Sequence, residues 1–112
     1  LEIENNDNTS VQDLVSRLNA AAGAGTWAAV PAPAQGTGTD AIRQAIIYKP
    51  ARVVLVGASS SDPNPVHNRP PLGQTFAAAN GERFAVIVNH FKSKSCGDAT
   101  GADLDQGDLQ GC

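Results

Sequence analysis

Phe84-Ala-Val-Ile-Val-Asn-His-Phe-Lys-Ser-Lys94 is the stretch on which the reading of this chain turns. It opens on an apolar run, rich in aromatic and β-branched side chains and too short to be one face of a helix. A run of that kind predicts a strand buried on both faces. It leads into a polar cluster of Asn89, His90, Lys92 and Lys94. A strand that delivers an imidazole and two cations to its C-terminal end is a common way to build a site in an α/β protein. Taken alone, His90 is equally well explained as a polar residue where a strand reaches solvent.

Outward from this strand, Asn80-Gly81 is the strongest hairpin signal in the chain. It joins Glu82–Asn89 to a strand entered through Arg69-Pro-Pro-Leu-Gly-Gln-Thr-Phe76. Ala41-Ile-Arg-Gln-Ala-Ile-Ile-Tyr48 and Arg52-Val-Val-Leu-Val56 read as two more strands, expected to pair across the turn at Lys49-Pro50. Thr26–Val30 is a short strand stopped by Pro31 and Pro33, and Leu1–Glu4 is another. Serines, an aspartate, asparagines and two prolines make Ala58–Asn68 an exposed loop, in which His67 is given no role. One helix is evident: Ser10 and Asp13 fit a capping signature, and Val11, Leu14, Val15 and Leu18 follow at helical spacing. Gly23 or Gly25 ends it. One helix and about six strands joined mostly by short turns predict an α+β domain with a largely antiparallel sheet, not a doubly wound one.

With 112 residues, 41% hydrophobic and 17% charged, the chain has globular composition for at most one domain. A net charge of −3 gives no overall field for nucleic acid, so any such role needs a local patch. No apolar run approaches the roughly 18 residues of a membrane span. The chain starts as if in mid-strand and closes on Cys112 after a Gly-Asp-rich loop, which suggests an internal piece truncated at both ends. A missing signal peptide is then uninformative. Cys96 and Cys112 are the only cysteines, and their spacing is not the C-x-x-C of a zinc or redox motif. If they pair, closing the loop is worth about 3 kcal/mol and implies an oxidising compartment; two free thiols in a cytosolic protein are the alternative. Asp103-Leu-Asp-Gln-Gly-Asp108 hints at a calcium loop but lacks its closing Glu.

The groups able to carry chemistry are Glu2, Glu4, Asp40, Arg43, Arg69, His90 and Lys92. Glu2 and Glu4, two apart on a strand, point to one face. Such carboxylates can hold Mg²⁺, a hard cation usually bound by one or two of them, or can be plain surface charges. Arg69 sits where a loop enters a strand, a place for a guanidinium that grips phosphate with two parallel hydrogen bonds. A carboxylate, a cation and a histidine at strand ends are the right groups for metal-assisted phosphodiester hydrolysis. Their spacing does not prove that they converge.

Five ordered motifs narrow this further: Leu1-Glu-Ile-Glu-Asn5; Gly38-Thr-Asp-Ala-Ile42 with Ile46-Ile-Tyr-Lys-Pro50; Arg69–Phe76; Val88-Asn-His-Phe-Lys-Ser-Lys94; and Asp105-Gln-Gly-Asp108. From end to end the chain resembles secreted bacterial nucleases of the endonuclease/exonuclease/phosphatase superfamily, the group that includes DNase I. The resemblance implies that residues 1–112 are a partial domain of this type, from a four-layer α/β sandwich with mixed, largely antiparallel sheets. It implies Mg²⁺ as cofactor, with Mn²⁺ or Ca²⁺ as alternatives, and nucleic acid, DNA first and RNA second, as partner and substrate. By the same likeness Glu2 is the metal ligand, His90 the acid/base, and Arg69 the contact to the nucleic-acid backbone. Asp40 supports the site by orienting His90, while Asn89, Lys92 and Lys94 are near enough in sequence to help bind phosphate. The family's G-D-x-N motif and terminal Asp-His pair do not occur here, so these residues alone are expected to be inactive. The alternatives are a related phosphatase or sphingomyelinase-like phosphodiesterase, and a non-catalytic disulfide-containing binding domain on the same scaffold.

Overall fold

The structure, a computed structural model, describes residues 1–4, 7–67 and 69–91. Among them the order is β1 (Glu2–Glu4), α1 (Thr9–Ala22), β2 (Ala28–Ala29), β3 (Ile42–Gln44), β4 (Ile47–Tyr48), β5 (Val53–Ser61), β6 (Leu72–Ala78) and β7 (Arg83–Val88). Every ladder is antiparallel: β1 with β3, β2 with β4, and β5–β6–β7 in that order. The class is therefore mixed α+β with antiparallel sheets, as the sequence pattern predicts. No helix among the described residues is long and apolar enough to cross a membrane.

Helix α1 buries Val11 and Val15, and Val11 shares a core cluster with Ile3 and Ala45. Its start differs from the expected one. Asn8 is the N-cap, in the left-handed conformation at φ 75°, which asparagine tolerates better than most residues. The acceptor comes from Asp7, whose Oδ1 takes the Thr9 N–H at 3.0 Å and also its hydroxyl. Ser10 lies inside the first turn, and its hydroxyl donates to the Glu4 carbonyl at 2.6 Å, tying α1 to β1. The helix ends as expected at Gly23, at φ 101°, whose N–H donates to the Asn19 carbonyl.

The segment expected as one strand over 41–48 is two, because its partner changes midway. Ile42–Gln44 pairs with β1, and Leu1 continues that ladder by exchanging hydrogen bonds with Ala45. From Ile46 onward the partner is β2, through Val30 N–H to Ile46 O at 2.9 Å. Nor does β4 pair with β5. The Arg52 and Val53 N–H groups both reach the Lys49 carbonyl, making a tight turn that sends the chain into a different sheet. The loop expected from Ala58 begins only after Ser61, since β5 continues through a bulge at Gly57, φ 72°. Beyond it Ser60 faces Gly73 and Ser61 faces Leu72.

The hairpin forms where Asn80-Gly81 places it. Ala78 N–H donates to Glu82 O and Gly81 N–H to Ala78 O, with Gly81 at φ 85°. The strand it leads into, β7, is not buried on both faces, and among the described residues β6 alone lies beside it. Val86 and Val88 pack on the core, while Ile87, on the opposite face, is 67% exposed. The core cluster beneath them joins Val30, Ile46, Leu72 and Phe76. Phe76 is its centre, with the rings of Tyr48 and Phe84 at 5.7 and 5.6 Å. Burying one such ring stabilises the fold by roughly 1.5–3 kcal/mol.

Candidate active site

Strand alternation in β1 turns Ile3 into the core and leaves Glu2 and Glu4 exposed on the other face. Glu2 is registered opposite Gln44 of β3. The β6–β7 ladder ends at Leu72 opposite Val88. The segments beyond that rung carry Arg69 and His90, and they close on the same edge. His90 Nε2 lies 3.5 Å from Glu2 Oε2, and Arg69 Nη2 lies 3.2 Å from Asp40 Oδ2. Asp40 is itself seated, its Oδ1 accepting the Ile42 N–H at 2.9 Å at the start of β3.

Gln44 joins these pairs. It is 3% exposed, and its carboxamide lies between two main-chain groups. With its nitrogen toward Pro70, it donates to the Pro70 carbonyl at 3.0 Å and accepts the His90 N–H at 3.0 Å. The opposite orientation offers the Arg69 carbonyl a weak contact at 3.4 Å and sets donor against donor and acceptor against acceptor. Matching donors to acceptors decides for the first. Two nitrogens of the cluster, Arg69 Nε and His90 Nδ1, are buried with no hydrogen-bond partner among the described residues. Arg43 Nε and Gln74 Oε1, outside the cluster, are buried and unpaired in the same way.

The four candidates therefore form two pairs, Glu2 with His90 and Asp40 with Arg69, drawn from four separate segments. The carboxylate facing His90 is that of Glu2, whereas Asp40 pairs with Arg69. Asn89 is exposed beside His90. Lys92, Lys94, Cys96 and Cys112 lie outside the described residues. Gln44 is the member that the sequence reading overlooked. Its signal was a glutamine beside an arginine in an apolar strand, since buried polar groups must find partners. Arg43, on the other face of β3, follows the same rule only in part, since its Nε has no hydrogen-bond partner among the described residues. It is 3% exposed, and its Nη2 donates to Asn8 Oδ1 at the head of α1. Burial pulls its guanidinium below the usual range, against the attraction of Asp7.

Among the described residues no set of three His, Cys, Asp or Glu side chains is placed to hold a metal. Glu2 still suits a hard cation that keeps most of its water, because its side chain is 59% exposed. An open groove of about 250 Å³ on the far face of β5–β6–β7, lined in part by Ser60, Asp62, Thr75 and Ile87, holds none of the clustered residues. No family model, no curated protein and no solved structure matches the chain.

Proposed function

We propose that this chain carries part of the active site of a metal-dependent nuclease that hydrolyses phosphodiester bonds in DNA, on a four-layer sandwich of the DNase I type. One observation carries the reading: His90 faces Glu2 at 3.5 Å and Arg69 faces Asp40 at 3.2 Å, while Gln44 bridges the His90 N–H and the Pro70 carbonyl next to Arg69. Arg69 presents its guanidinium to a backbone phosphate, and Asp40 holds the fork in place. His90 exchanges protons with the reacting oxygens. Glu2 faces that ring and is the residue that would hold Mg²⁺, or Mn²⁺ or Ca²⁺ in its place. When bound, such a cation neutralises phosphate charge and stabilises the leaving oxygen. Affinity for DNA comes from phosphate contacts, so it is salt-sensitive and weakly selective for sequence. Secretion is part of the same proposal.

The test is plasmid nicking by the full-length parent protein, with Mg²⁺ and with chelator. Cleavage that needs the cation and is lost in His90→Ala supports the reading. Chelator-insensitive cleavage, or full activity without His90, overturns it.

A further inference from the structure

The ends of β6 and β7 do not continue their ladder. The register that sets Leu72 against Val88 would next bring Pro70 opposite His90 as a hydrogen-bonding pair. Proline has no N–H to offer, so the pair could make only one bond, from His90 N–H to Pro70 C=O. That bond is replaced by two. His90 N–H donates to Gln44 Oε1, and Gln44 Nε2 donates to Pro70 O, each at 3.0 Å. A side chain from β3 is thus wedged between two strand ends and holds them a carboxamide apart. The residue after Val88 and Asn89 is His90, and the residue before Pro70 is Arg69, so this spacing sets the imidazole relative to the guanidinium. The backbone of Gln44 is registered against Glu2, which brings the facing carboxylate into the same frame.

From this geometry we propose that Gln44 is the positioning residue of the site: its carboxamide, wedged between Pro70 and His90, sets the distance between His90, Arg69 and Glu2. This deepens the nuclease reading and rests on it for the catalytic consequence. Gln44 touches no reacting atom. Its effect is on geometry, and displacement of a reacting group by about 1 Å can cost on the order of 100-fold in rate.

Gln44→Met keeps length and bulk while removing both polar ends. Two measurements are made, steady-state nicking kinetics on the full-length parent and amide hydrogen exchange followed at His90 and at Phe76. The expected result is a kcat lower by about 10- to 100-fold with KM within about threefold. His90 exchange should quicken by about tenfold, as for loss of one main-chain hydrogen bond, while Phe76 exchange stays unchanged. Wild-type kcat, a change confined to KM, or unaltered His90 exchange overturns the proposal. So does loss of protection at both amides, which makes Gln44 a prop of the whole fold. If the wild-type protein cleaves no phosphodiester, the nuclease reading fails, and exchange at His90 still decides whether the wedge exists.

Discussion

His90 Nε2 faces Glu2 Oε2 at 3.5 Å, linking the first strand of the chain to the segment just past β7. The separation is beyond a short hydrogen bond, and both side chains keep access to solvent. Removing either member should therefore act on chemistry more than on folding. Glu2→Gln and His90→Ala are each expected to lower nicking by about 100-fold or more. If the two act as a unit, as proposed, the double variant should be little worse than the worse single one. Fully additive losses in a gel-based nicking assay would mean that they do not cooperate.

Arg69 is held by Asp40 at 3.2 Å with both side chains largely covered. Arg69→Ala should weaken binding to DNA of any sequence and reduce the slope of log K against log salt by about 1. Arg69→Lys keeps the charge and loses the fork, so it should recover only part of the affinity. Fluorescence anisotropy across a salt series, in the absence of added cation, measures both. An unchanged slope in the alanine variant would remove Arg69 from the phosphate-binding role.

Phe76 is 2% exposed between Tyr48 and Phe84. Phe76→Ala should destabilise the fold by about 3–5 kcal/mol, from lost transfer energy and the cavity left behind. Urea unfolding followed by fluorescence of Trp27 reads the loss. A cost under about 1 kcal/mol would mean that this cluster is not the principal core.

Gly57 makes the bulge that carries β5 past Val56, at φ 72°, with open space where a Cβ would sit. Gly57→Ala should cost about 1–2 kcal/mol through backbone conformation alone, since nothing there can clash. The same urea experiment measures it, and a neutral result would show that the bulge relaxes without loss.

Asp7 titrates below its ordinary 3.8, first because of the Thr9 hydroxyl and then because of the Thr9 N–H. A carboxylate with a depressed folded pKa contributes stability that is fully present above the unfolded value. That contribution is lost as pH falls through the lower folded value. Asp7→Asn should lower the melting temperature near pH 7, and the difference should shrink as pH falls below the ordinary aspartate value and through the lower folded one. Melting curves from pH 7 to pH 2 check this; a difference that persists at the acid end would place the effect outside titration.

The local features were legible because each rests on a few neighbouring residues. The Asn80-Gly81 hairpin needs only a positive φ and two flanking extended runs, and it forms where the pattern puts it. Helix α1 is fixed by the spacing of Val11 and Val15, and only its first turn moved, because Asp7 competes with Ser10 as the acceptor. Residues 41–48 show the limit. Their extended conformation is readable, but the change of partner at Ala45–Ile46 depends on β1 and β2 arriving from opposite ends of the segment. Likewise the apolar run of β7 looks the same whether it lies in the middle of a sheet or at its edge.

By itself the sequence determined which stretches are extended, where the helix lies and which side chains could do chemistry. It carried Glu2, Asp40, Arg69 and His90 as candidates with no means of bringing them together. Tertiary structure alone decided that Glu2 rather than Asp40 faces His90, that Asp40 takes Arg69, and that Gln44 stands between the strand ends. The physical reason is range: turn and helix signals are encoded within a few residues, whereas a convergent site depends on ladder register and on where buried polar groups find partners.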